Sequence, residues 1–175
     1  MGNSNEKIIE ALKFAIQMEL DGKRFYLQAG ERSDNPVGKE LFTWLAGQED
    51  RHRETFEQIY KSLADKHNWP SQNIKPYRVK MGTIFGNLIK SADKNKKPGK
   101  EDLEASSIAI EMEIKSRDYY GKCAEMAVTK EEGEFYRSLS AEEQGHYLSL
   151  IDYKEYVMDP VNWFTRSEHH LLDGA

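Results

Sequence analysis

Apolar residues recur every three to four positions through long stretches of the chain, the spacing of helices that bury one face. Over residues 4–32 that face carries Ile8, Leu12, Ala15, Ile16, Gly22 and Tyr26. Asn35 and Pro36 form a cap and first-turn pair for a second helix reaching about Lys66. The link between the two is only a few residues, so they should lie antiparallel as neighbours. Two further helices are expected over 101–128 and 130–159, joined tightly at Thr129, a natural N-cap. None of the prolines, at positions 36, 70, 76, 98 and 160, falls inside 4–32, 37–66, 101–128 or 130–158, so four long helices are permitted. Each would be roughly 40 Å long at 1.5 Å per residue.

Residues 67–100 read differently. Trp69-Pro70, Lys75-Pro76 and the basic run from Lys94 to Lys100 break the periodicity, with a short helix expected over 83–91. A segment of that length can run back along a bundle. The chain therefore divides into hairpin one (4–66), a crossover (67–100), hairpin two (101–159) and a tail (160–175), within one domain. The tail holds Trp163, Phe164, His169 and His170 and is expected to pack on the bundle or on a partner subunit. The fold class is all-α, a four-helix bundle of two hairpins and one long crossover.

The two hairpins are copies of one another. Ala15-Ile16-Gln17-Met18-Glu19-Leu20 aligns with Ala109-Ile110-Glu111-Met112-Glu113-Ile114 at an offset of 94 residues. At the same offset of 94, Leu45-Ala46-Gly47-Gln48-Glu49-Asp50-Arg51-His52 aligns with Leu139-Ser140-Ala141-Glu142-Glu143-Gln144-Gly145-His146. The copies agree at Glu19 and Glu113, at Glu49 and Glu143, and at His52 and His146. Positions three, four and seven residues away share a helix face. For Glu19 these include Leu12, Ala15, Ile16 and Tyr26; for Glu49, Phe42, Leu45, Ala46 and Phe56. For Glu113 they include Ala109, Ile110 and Tyr120; for Glu143, Tyr136, Leu139 and Leu150. Glu111, by contrast, shares its face with Glu104, Ser107, Lys115 and Asp118, and faces water.

Four carboxylates buried together need protons or a cation, because an isolated buried charge costs several kcal/mol even after relaxation. Glu and His at i and i+3 point the same way and can converge on one ion. Two such pairs, plus one glutamate from each remaining helix, give the carboxylate-rich site of ferritin-like bundles. Four negative charges offset two divalent ions. A lone Glu-x-x-His is ordinarily a surface pair; two at matching offset, each with a buried glutamate upstream, reverse that reading. The expected ligands are Glu19, Glu49, His52, Glu113, Glu143 and His146, with Glu49 and Glu143 bridging and Glu19 and Glu113 terminal. Carboxylate with imidazole suits iron first, with manganese or zinc as alternatives. Tyr26 and Tyr120 are candidates to hydrogen-bond the carboxylates from behind. Met18 and Met112 read as core filler, and His169 and His170 as surface or interface residues.

Composition narrows the class. The net charge of −5, with acids and bases interspersed, offers no basic stripe for nucleic acid or an anionic membrane. No apolar run approaches the roughly 20 residues that span a bilayer. Residues 1–13 lack an export pattern and read as a helix start. The single cysteine, Cys123, excludes an intrachain disulfide and a Cys-x-x-Cys knuckle. The expected location is the cytoplasm.

Across residues 5–158 the motifs Ala15-x-x-x-Glu19, Glu49-x-x-His52, Ala109-x-x-x-Glu113 and Glu143-x-x-His146 resemble the rubrerythrin family of the ferritin-like superfamily. The resemblance implies a non-haem di-iron centre, reduction of hydrogen peroxide or dioxygen, and a homodimer. Two positions depart from the pattern. Rubrerythrins proper carry a rubredoxin module with four cysteines; with Cys123 alone, electrons must come from an external donor such as a rubredoxin-like protein. The family's peroxidase site also has an extra glutamate one turn after the third-helix ligand, where this chain has Ser116, with Gly22 as its repeat partner. Two other functions fit the same residues: oxidation and handling of ferrous iron, and a non-enzymatic module in which metal braces a helical binding surface.

Overall fold

A computed structural model describes residues 2–66, 69–70, 84–90 and 99–163. Five α-helices account for most of them: α1 (Gly2–Arg32), α2 (Pro36–Lys66), α3 (Ile84–Lys90), α4 (Lys100–Met126) and α5 (Lys130–Met158). The four long ones sit where the apolar periodicity places them. α1 with α2, and α4 with α5, pack along their lengths as two hairpins. The family of folds is the ferritin-like bundle, and no strand occurs among the described residues. None of the described helices is long and apolar enough to cross a membrane.

The helix ends follow from local chemistry. Asn35 caps α2, its Oδ1 accepting from the N–H groups of Val37 at 2.9 Å and Gly38 at 3.3 Å. Thr129 caps α5, Oγ1 accepting from Glu132 N–H at 3.2 Å, while Glu132 reaches back to Val128 N–H at 3.0 Å. That second bond holds Val128 outside α4, which ends at Met126, two residues earlier than its periodicity suggests. At the opposite end, buried Asp102 ties three segments together. Its Oδ1 accepts from Ser33 Oγ at 2.6 Å and from the Tyr153 hydroxyl at 2.8 Å, and its Oδ2 from Gly99 N–H at 3.0 Å.

Side chains between the helices form two apolar clusters. One holds Tyr26, Leu41, Phe42, Leu45, Leu150, Tyr153 and Tyr156; the other holds Leu12, Ala15, Phe56, Ile59, Tyr120, Tyr136 and Leu139. The first cluster draws on the later half of α1, the early half of α2 and the end of α5. The second draws on the early half of α1, the later half of α2, the end of α4 and the start of α5. Helices α1 and α5 therefore run one way and α2 and α4 the other, so the crossover spans the bundle end to end. Its helix α3 lies at the first cluster, where Phe85 meets the rings of Tyr153 and Tyr156 at 6.2 and 6.4 Å. Trp163, in the expected tail, also packs there, 5.3 Å from Phe85 between ring centroids. Phe164, His169 and His170 lie outside the described residues.

Candidate metal centre

Between the two apolar clusters lies a polar band. Glu19, Glu49, His52, Glu113, Glu143 and His146 are all buried, with 0 to 5% of their surface exposed. Each long helix places its contribution mid-span, one or two turns from an apolar residue on either side. All six predicted positions are thus brought together, three from each hairpin.

The donor atoms converge. Glu49, Glu113, Glu143 and His146 form one group, and Glu19, Glu49 and His52 a second, the chosen atoms of each lying within 4.8 Å of one another. Glu49 belongs to both. Glu143 spans the two histidines, with Oε1 3.2 Å from His52 Nδ1 and Oε2 3.0 Å from His146 Nδ1. His52 Nδ1 lies 3.4 Å from Glu19 Oε2. His146 Nδ1 lies 3.5 Å from Glu113 Oε2 and 3.7 Å from Glu49 Oε1. The imidazole rings lie nearly parallel, 5.7 Å apart at 25°.

These atoms fit cations. Glu19 Oε2, Glu49 Oε1, His52 Nδ1 and Glu143 Oε1 are buried with no hydrogen-bond partner. Lone pairs left bare in an interior carry a full desolvation penalty unless an ion answers them. Four carboxylates and two imidazoles, sorted into two overlapping groups, suggest a pair of metal ions.

The charges that the residues impose on one another point the same way. Burial, then the neighbouring charges of Glu19 and Glu143, pushes Glu49 well above the usual carboxylate range. Burial and Glu143 push Glu113 up to about 8. Burial opposes the charged form of both histidines, but Glu143 and Glu19 outweigh it for His52, and Glu113 and Glu143 raise His146 to about 10. For Glu143 burial is again outweighed, here by His52 and His146, and its carboxyl falls below the usual range. Positive charge, whether protons or metal, is what this pocket attracts.

Tyr26 and Tyr120 reach the carboxylates, and they do so crosswise. The Tyr26 hydroxyl of α1 donates to Glu113 Oε1 on α4, and the Tyr120 hydroxyl of α4 donates to Glu19 Oε1 on α1. Each leaves the other carboxylate oxygen turned towards the histidines. Gly22 is a site of close approach: a Cβ there would stand 3.1 Å from Glu49 Oε2. A side chain at Gly22, the repeat partner of Ser116, would therefore crowd the Glu49 carboxylate.

Two residues that touch the centre, and the repeat counterpart of one of them, were not among the expected ones. Glu142 Oε2 lies 3.0 Å from His52 Nε2, on the side of the ring away from the carboxylate cluster. Gln48 is buried, and Trp44 sets its ring edge-on to His146 at 5.6 Å. The signal for the first two was present in the repeat, where Glu142 stands opposite Gln48, but charge adjacent to a ligand reads as a solvated flank in sequence.

Comparison with known proteins agrees with this geometry. The family model described as Rubrerythrin matches residues 10–153. Among solved structures, a hypothetical protein from Pyrococcus furiosus superimposes with a TM-score of 0.62 at 22% identity, covering 86% of this chain and 90% of that one. That likeness is one of fold. No curated protein matches the chain.

Proposed function

The chain belongs to the rubrerythrin family, and from that premise we propose that it is a non-haem di-iron oxidoreductase reducing hydrogen peroxide or dioxygen. The observation that carries the proposal is the convergence of six buried donor residues in the middle of the bundle, four of them with a side-chain atom that has no hydrogen-bond partner. In this reading Glu19 and His52 complete one ion position, Glu113 and His146 the other, and Glu49 and Glu143 serve both. Bound iron supplies the electrons that reduce the oxidant. The protein's own residues do the rest. Tyr26 and Tyr120 fix the terminal carboxylates through their crossed hydrogen bonds. Phe42, Phe56, Leu45 and Leu139 close the site above and below with hydrocarbon and exclude bulk water. Within these 175 residues Cys123 is the only cysteine, so they hold no four-cysteine iron site, and in this reading electrons come from a donor outside them, such as a rubredoxin-like protein.

Elemental analysis of protein purified without added metal comes first: two irons per chain are expected, and stoichiometric zinc would refute the redox role. Rapid mixing of the reduced protein with peroxide should then oxidise the site faster than free ferrous iron under the same conditions. A rate no faster than free iron rejects the enzyme. A second reading, ferrous iron oxidation and release, is favoured by Ser116, which stands where the family's peroxidase site has its extra carboxylate. Sustained turnover with excess ferrous iron and dioxygen selects it over peroxide reduction.

A further inference from the structure

The 94-residue repeat would make the two ion positions equivalent if every residue around them matched. The ligands do match, glutamate for glutamate and histidine for histidine. The residue preceding the shared glutamate does not: hairpin one has Gln48 and hairpin two has Glu142. Glu142 touches the ligand His52, and Gln48 is buried one residue before the ligand Glu49, so the difference bears on the centre.

The ring of His52 is held on two sides. Nδ1 faces the carboxylates of Glu19 and Glu143 at 3.4 and 3.2 Å, whereas Nε2 faces Glu142 Oε2 at 3.0 Å. A histidine that ligates through Nδ1 keeps its one proton on Nε2, and here that proton has a carboxylate to accept it. Such a partner fixes the tautomer and the ring orientation, and it makes the ligating nitrogen a stronger donor. The Glu142 side chain is only 12% exposed, and its second oxygen is buried with no hydrogen-bond partner, so little solvent screens its charge.

His146 has different company. Its ion pairs all run from Nδ1 to Glu49, Glu113 and Glu143. Gln48, the counterpart of Glu142, is neutral; its Oε1 accepts from Arg51 at 3.4 Å and its Nε2 is buried without a partner. Trp44 lies against the His146 ring, and its own counterpart in the repeat is Ser138. One imidazole thus has a carboxylate behind it, and the other has an indole against it.

We propose that Glu142 makes the two ion positions unequal: by accepting the Nε2–H of His52 it strengthens the position that His52 completes, and the His146 position, for which the repeat supplies the neutral Gln48 in place of a carboxylate, is the weaker. This inference rests on the two-ion reading above. Glu142 acts through His52 and touches no ion itself. It is a positioning residue that breaks the symmetry of the repeat.

The test is anaerobic titration of metal-free protein with Co(II), followed by visible absorption and by the shifted, exchangeable imidazole N–H signals in the proton NMR spectrum. Wild-type protein should take up two ions in unequal steps and show two such signals. In Glu142→Gln the tighter step should weaken about 10- to 100-fold, the range found when a histidine ligand loses its outer partner. One N–H signal should shift and the other stay. Gln48→Glu should strengthen the weaker step, which keeps the proposal testable if Glu142→Gln folds poorly. Equal steps in wild type overturn the proposal, as does a Glu142→Gln titration matching wild type or a shift of both signals together. Uptake of fewer than two ions overturns the two-ion reading itself, and this inference with it.

Discussion

Crossed hydrogen bonds set Tyr26 and Tyr120 apart from the other buried rings. Each follows one terminal glutamate by seven residues yet donates to the glutamate of the opposite hairpin. Replacing Tyr120 by Phe removes the donor to Glu19 and leaves a buried oxygen unanswered. A loss of about 1–3 kcal/mol is expected in the metal-free protein, measured by urea unfolding. The titrating residues predict a pH response of known sign. His146 is raised to about 10 from an ordinary 6.5, so the stability it contributes is fully present below pH 6.5 and is lost as pH climbs through 10. Glu113, raised to about 8 from 4.5, acts in the same direction, becoming a cost as pH rises between those values. With chelator present, the melting temperature should therefore fall from pH 6.5 to 10. Metal must displace those same protons, so its apparent affinity should increase over pH 6 to 8, read by the same Co(II) titration. The six donors were legible in the sequence because a charged residue within an apolar stripe, repeated at one offset, has no solvated alternative. The crossing of the tyrosines was not, since it depends on α1 and α4 lying antiparallel side by side.

Helix boundaries were legible wherever a side chain caps the backbone. Asn35-Pro36 and Thr129 mark the starts of α2 and α5 in the sequence as they do in the structure. Thr129→Ala should cost about 1 kcal/mol in urea unfolding, the usual value of a lost cap. The junction at Asp102 was not legible, because Ser33 and Tyr153 lie 69 and 51 residues from it, and Ser33 reaches it only when the two hairpins dock. Gly38 faces that junction. A Cβ there would stand 2.7 Å from Ser33 Oγ and 2.8 Å from Asp102 Oδ1, and closer still to the Tyr153 hydroxyl. Gly38→Ala should therefore destabilise by about 2–3 kcal/mol, combining overpacking with strained buried hydrogen bonds, and thermal melting measures it. A glycine on an apolar helix face gives no hint of this in sequence; only the tertiary approach does.

Viewed as a whole molecule, the bundle carries a polar layer between two hydrocarbon ones. The topology was legible because a short link forces neighbours antiparallel and a long one permits a return along the bundle. Ions bound only by the folded state stabilise it by mass action, about 2.7 kcal/mol per site at a hundredfold excess over Kd. Chelation should lower the melting temperature of the native protein, and re-addition of metal should restore it.

The division of donors between hairpins has a mechanical consequence. Glu19, Glu49 and His52 come from one half of the chain, and Glu113, Glu143 and His146 from the other, while α1 and α4 themselves touch at few points. Cations held in the middle would act as a clasp across the seam. Unfastened, the molecule should part there first, each pair of helices keeping its own zipper of contacts while the plane between them loosens.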